Sequence, residues 1–207
     1  MQKLSTVIKK KLILGVTGTF GSGKSTVARI LARTLGAKII DADRIAHRLI
    51  RPGGKVYKRI VAVFAQDILG KNKIINRKLL AKKVFSRKAL VAKLNKITHP
   101  ALIKEIKKQI RQAAPGEIII IDAPLLIEAG LGSWVDKIIV IKISSRQQQR
   151  RLNKKLSLNK AELLKRLKFQ MSFKNKVRLA DFVIDNNGTI KATKKQIQEL
   201  RRKLWIN

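Results

Sequence analysis

"LILGVTGTFGSGKS", Leu12 to Ser25, decides the fold of this chain. Its second half, Gly18 to Ser25, fits the pattern G-x-x-x-x-G-K-[ST] at every fixed position. Its first half is a short apolar run, as in a buried strand. After the loop, Val27, Ile30, Leu31 and Leu35 fall at helical spacing and Gly36 marks a stop. Strand, glycine-rich loop and helix in that order form a phosphate-binding loop. Glycines let backbone N–H groups turn inward around phosphate oxygens, and the helix N-terminus adds positive potential. The expected nucleotide contacts are Gly18, Gly21, Ser22, Gly23, Lys24, Ser25 and Thr26. Lys24 is expected at the β- and γ-phosphates and the Ser25 hydroxyl at a Mg2+ ion.

The same alternation continues outward from the loop. "AKIID" reads as a second strand, and "RIAHRLI" as a helix ending at Pro52-Gly53-Gly54. Lys55 to Ala114 reads as mainly helical, with breaks near Gly70 and at His99-Pro100. "EIIIID" (Glu117–Asp122), "KIIVIKI" (Lys137–Ile143) and "DFVID" (Asp181–Asp185) read as three more strands. Arg146 to Leu179 reads as helical with a break near Leu156 to Asn159, where Asn159 and Glu162 suit a capping box. A basic helix closes the chain. Strands alternating with helices predict an α/β fold with a parallel sheet covered on both faces. Near-continuous apolar strands agree, since a strand covered on both sides has no polar face.

Composition narrows the function classes. The 207 residues include no cysteine, which excludes disulfides, thiolate metal sites and cysteine catalysis and suits a reducing cytoplasm. The apolar runs are too short to span a bilayer, so no membrane association is expected. The net charge is +36, with the cations spread along the whole chain. Two readings of that charge stay open: binding to nucleic acid or an anionic membrane surface, and a drift toward lysine on solvated faces, with some nonspecific attraction to polyanions expected under either. A basic surface disfavours tight self-association, so a monomer or weak oligomer is expected.

Against this background the acids stand out. Asp41 ends the second strand and Asp43 opens the next helix. Asp122 ends the third strand, as an acid that holds Mg2+ through a water would. In open parallel sheets ligands lie beyond the carboxyl ends of the strands. The phosphate loop, "DAD" and "DAPLLIE" converge there, and phosphoryl transfer to a hydroxyl benefits from a carboxylate that accepts its proton. Asp43 also reads as a helix N-cap, and Asp41 as a solvated strand end.

"GTFGSGKST", "IIDADRIAH", "HPALI", "DAPLLIE" and "ADFVIDNNG" follow one another in this order. With these motifs the chain resembles the dephospho-coenzyme A kinases from about Leu12 to Leu204. The resemblance implies a three-layer α/β/α P-loop kinase with a five-stranded parallel sheet. It implies one domain over residues 1–207, with a helical substrate-side region at about 52–114 and a small lid at about 150–160. The implied reaction is ATP- and Mg2+-dependent phosphorylation of the 3′-hydroxyl of dephospho-coenzyme A. Asp43 is then the catalytic carboxylate, with Lys24 and Arg151 also catalytic. Asp41, His47, His99, Leu125, Leu126 and Glu128 form the acceptor side, and Asn186 and Gly188 lie near the adenine. Where the family carries an Arg-Asp pair in the lid, this chain has Lys155-Leu156, and a lysine cannot grip phosphate bidentately. Lys176 matches a family lysine, and reads equally as one surface lysine among many. A kinase of another nucleotide-like acceptor, or a basic nucleic-acid-binding protein with an ATP switch, are the competing readings.

Overall fold

The computed structural model describes residues 11–156 and 168–204. Five parallel strands, β1 (Leu12–Gly18), β2 (Lys38–Asp41), β3 (Ile118–Asp122), β4 (Lys137–Lys142) and β5 (Phe182–Asp185), form one sheet in the order β2-β3-β1-β4-β5. The central strand is therefore the one that feeds the phosphate loop. Its alternate residues are buried on opposite faces. Leu14 and Val16 pack with Val27 and Leu31 of α1 (Lys24–Leu35) and with Ile197 and Leu200 of α8 (Ile190–Leu204). Ile13 turns the other way, onto a cluster with Ile119, Ile121, Ile45 and Ile106. The three layers anticipated from the apolar strands are thus present.

The helical region follows β2. It comprises α2 (Ala42–Leu49), α3 (Lys55–Phe64), α4 (Arg77–Val84) and α5 (Lys88–Gln112), with short 3-10 turns on either side of Gly70. One expectation fails here. The chain does not break at His99-Pro100, because α5 runs through Pro100 as a 25-residue helix. Proline there has no N–H to offer the carbonyl of Lys96, a loss that breaks many helices. Packing compensates for it. Before Pro100, α5 contributes Leu90, Val91, Leu94 and Ile97 to a separate apolar core with Ile60 and Phe64. After it, Leu102, Ile103, Ile106 and Ile110 join the core beneath the sheet.

The later helices are α6 (Ser145–Leu156) and α7 (Phe173–Arg178). Residues 168–172, just before α7, are not helical, so the helical reading of Arg146 to Leu179 fails there and holds at α6 and α7, while residues 157–167 lie outside the described residues. The expected capping box at Asn159 and Glu162, the outer part of the expected lid and the side chains of Lys155 and Leu156 lie outside the described residues. Among the described residues no helix is long and apolar enough to cross a membrane.

Candidate active site

The carboxyl ends of the strands carry the site. β1 ends at Gly18, and Gly23 is the N-cap of α1 with φ +83, a left-handed conformation suited to glycine. An added Cβ at Gly23 would overlap the side-chain nitrogen of Asn186 and come within 2.9 Å of Arg151 Nη1. Lys24 is buried and paired with Asp122 at the end of β3. Ser25 faces solvent in the first turn of α1, and the amide of Thr26 donates to the Gly23 carbonyl at 3.0 Å. Ser22 Oγ is buried with no hydrogen-bond partner among the described residues.

β2 and β3 run in register so that Asp41 lies opposite Asp122. The capping role expected of Asp43 belongs to Asp41, whose carboxylate accepts the Arg44 amide at 2.9 Å. Asp43, relieved of that duty, stands within electrostatic reach of Lys24 and Asp122. Its side chain keeps contact with water, yet enough protein surrounds it that burial pushes its carboxyl above the usual range. Lys24 pulls the other way, and Asp41 and Asp122 push it up further. Asp41, Asp43, Asp122 and Lys24 therefore form one electrostatic cluster. His47, one turn along α2 from Asp43, is held below its ordinary value by burial and then by Arg77, against the pull of Asp43 and Asp41. His99 lies within α5. Burial alone lowers its imidazole, and the acidic cluster does not act on it.

Among the other acceptor-side expectations, that for Leu126 needs correcting. Leu126 is fully buried in the core beneath the sheet and offers no surface to a ligand, whereas Leu125 in the same turn keeps partial exposure. Glu128 is half-buried and committed to protein partners. It accepts from Lys176 Nζ at 2.8 and 2.9 Å and from the Met171 amide at 2.8 Å. Lys176 is no surface lysine, since its side chain has no exposure at all.

α6 lies against the phosphate loop with one face. Gln148, Arg151 and Leu152 are spaced so that they share it. Gln148 Nε2 donates to the Phe20 carbonyl and to Thr19 Oγ1, and Leu152 covers Gly21. Arg151 donates to the Ser22 carbonyl at 3.2 Å and the Asn186 carbonyl at 2.6 Å. Asn186 in turn donates to the Ser22 carbonyl at 2.8 Å, so its side chain braces the loop. Gly188 is exposed in the same turn. A groove lined by Ser144, Arg146, Gln147, Arg150 and Asn187 opens beside it. Asp185 stabilises the turn by accepting the Asn187 amide at 2.9 Å, and that bond holds its carboxyl below the usual range.

A family model described as dephospho-CoA kinase matches residues 12–192. The chain belongs to the dephospho-CoA kinase family. A dephospho-CoA kinase of Carboxydothermus hydrogenoformans is 42% identical over 92% of this chain and 93% of its own length. A solved dephospho-CoA kinase from Campylobacter jejuni superposes with a TM-score of 0.62 at 27% identity, over 94% of this chain and 97% of that one. A crystal structure of a Thermus thermophilus protein gives a TM-score of 0.79 at 26% identity, over 95% and 99%.

Within this dephospho-CoA kinase fold, sequence reasoning missed Thr17, Gln148, Leu152 and Gln170. Gln148 and Leu152 stand three residues before and one after Arg151, so helical spacing alone could have nominated them. Gln170 accepts the Phe20 amide across the fold, and nothing local signals that.

Proposed function

We propose that this family member transfers the γ-phosphoryl group of ATP to the 3′-hydroxyl of dephospho-coenzyme A, giving coenzyme A and ADP, the last step of coenzyme A biosynthesis. One observation carries the reading at the level of residues: the Lys24–Asp122 pair stands where β2 and β3 end beside the phosphate loop, with Asp41 opposite Asp122 and Asp43 two residues further on.

Lys24 and the loop amides bind the β- and γ-phosphates, with Lys24 exchanging Asp122 for phosphate oxygen. Asp43 takes the proton of the acceptor hydroxyl as that oxygen bonds to the γ-phosphorus. The bond from phosphorus to the β–γ bridging oxygen breaks, and ADP leaves with the electron pair. A carboxyl raised above its ordinary range is a better proton acceptor at neutral pH than a free aspartate. Arg151, beside the loop, adds positive charge where the transferring group develops negative charge. Asp41 and His47 hold the acceptor side, and the groove at Asn187 is where the adenine lies.

The donors suit a metal. Ser25 offers an exposed hydroxyl and Asp122 a carboxylate at the neighbouring strand end, and Mg2+ takes oxygen ligands. Bound there with ATP, the ion would neutralise phosphate charge. We place the reaction in the cytoplasm, which the cysteine-free sequence suits, and attribute any binding of other polyanions to the net charge of +36.

The test is coupled ADP release with dephospho-coenzyme A and with nucleoside monophosphates in turn. Turnover with dephospho-coenzyme A is expected, and turnover only with monophosphates would overturn the substrate assignment. Asp43→Asn is expected to retain ATP binding and lose most turnover. An unchanged rate would remove Asp43 from its role.

A further inference from the structure

We propose that Lys176 and Glu128 are a buried positioning pair that sets the phosphate loop against the end of β3 for phosphoryl transfer. The proposal rests on the reading of this cleft as the reaction site. The chain carries 48 Lys plus Arg, and among the described residues only Lys24 and Lys176 are buried cations. A buried ammonium is costly unless it is paired and hydrogen-bonded. Lys176 is both. Its Nζ donates to Glu128, to the Pro124 carbonyl at 3.0 Å and to Thr17 Oγ1 at 3.4 Å. The Thr17 hydroxyl itself donates to the Pro124 carbonyl at 3.1 Å.

Each partner stands at the root of a different piece of the site. Thr17 immediately precedes Gly18 of the phosphate loop. Pro124 follows Asp122 by two positions. Glu128 also holds the Met171 amide, and the neighbouring Gln170 accepts the Phe20 amide at 3.1 Å from within the loop. One ammonium thus ties the loop, the Asp122 strand end and the segment before α7 together. Lys176 has no exposed surface, so it acts on the reaction through these groups.

Stability alone does not account for the pair. Desolvation offsets much of the attraction in a buried ion pair, and apolar replacements of similar volume are often neutral or stabilising. Geometry does account for it. Misplacing reacting groups by about 1 Å can cost about a hundredfold in rate. The span from the phosphate loop to Asp122 is what Thr17, Lys176 and Pro124 fix.

The experiment compares kcat, KM for both substrates and melting temperature in Lys176→Met, the double variant Lys176→Met/Glu128→Leu, and Thr17→Val. Lys176→Met leaves Glu128 unpaired and is expected to lose both stability and kcat, the latter by roughly a hundredfold. The double variant is expected to regain the melting temperature while kcat stays low and both KM values change little. Recovery of kcat together with stability would show a merely structural pair and overturn the proposal. Thr17→Val removes only the hydroxyl at the loop's root, and so serves even where the double variant does not fold. It is expected to lower kcat several-fold with a melting temperature only a few degrees below the parent's, and an unchanged kcat overturns the proposal. Absence of parental turnover with dephospho-coenzyme A would instead count against the substrate reading. The same comparison would then use whichever acceptor the parent phosphorylates.

Discussion

Gly23→Ala probes the brace on the phosphate loop. Gly23 sits at φ +83 and ψ 16. A residue with a Cβ pays roughly 1–2 kcal/mol to stay in that left-handed region. The new Cβ also meets two side chains. Arg151 ends a long side chain that can shift by a few tenths of an ångström, but Asn186 is short and held at both ends of its amide. It donates to the Ser22 carbonyl at 2.8 Å and accepts from Thr193 Oγ1 at 3.2 Å. Displacing it sacrifices both bonds, at about 1 kcal/mol each. The total is about 3–4 kcal/mol, which for a chain of this size lowers the melting temperature by about 10 °C. Differential scanning calorimetry without nucleotide measures it. The Asn186→Ala background supplies the control, because the collision is then gone and only the backbone cost of about 1–2 kcal/mol remains. Equal losses in the two backgrounds would refute the brace.

Two further outcomes follow from the charges in the cleft. Asp43 has a raised carboxyl pKa, so the protonated form favours the folded state. That stability is complete below the ordinary carboxylate range and is lost as pH rises through the raised value. Asp43→Asn should therefore melt above the parent at pH 7.5, with the gain fading on acidification, and parallel melting curves against pH would contradict this. Arg77→Ala should raise the pKa of His47 in an NMR titration, since Arg77 is the next cause after burial of its depression. His99, depressed by burial alone, is the internal reference, and an unmoved His47 would place Arg77 too far away to matter.

The sheet and the phosphate loop were legible because their signals are local. A run such as "EIIIID" has no polar face, and a loop with glycines at fixed spacing has one common use. Asp41 and Asp43 were legible as a pair, but their division of labour was not. Which of two acids caps α2 depends on where β2 stops, a matter of one residue. Pro100 misled for a different reason, since the local cost of a proline is visible in sequence and the packing that offsets it is not. Leu125 and Leu126 are adjacent and chemically identical, and only the path of the turn after β3 sends the second into the core. Lys176 was the hardest to read. Its partners lie 48 to 159 positions away, and its neighbours in sequence give no hint of burial.

Helix α5, which carries on through Pro100, has a mechanical consequence. It extends about 37 Å. Its first half belongs to the core of the helical region and its second half to the core beneath the sheet. The two cores thus share one girder where a hinge loop would let them part. Thermal unfolding should proceed as a single cooperative transition, since neither core can melt without unseating half of that helix. Any motion of the helical region toward the phosphate loop then has to flex the girder itself. Its weakest rung is the Lys96 carbonyl, the one that Pro100 leaves without a helical donor.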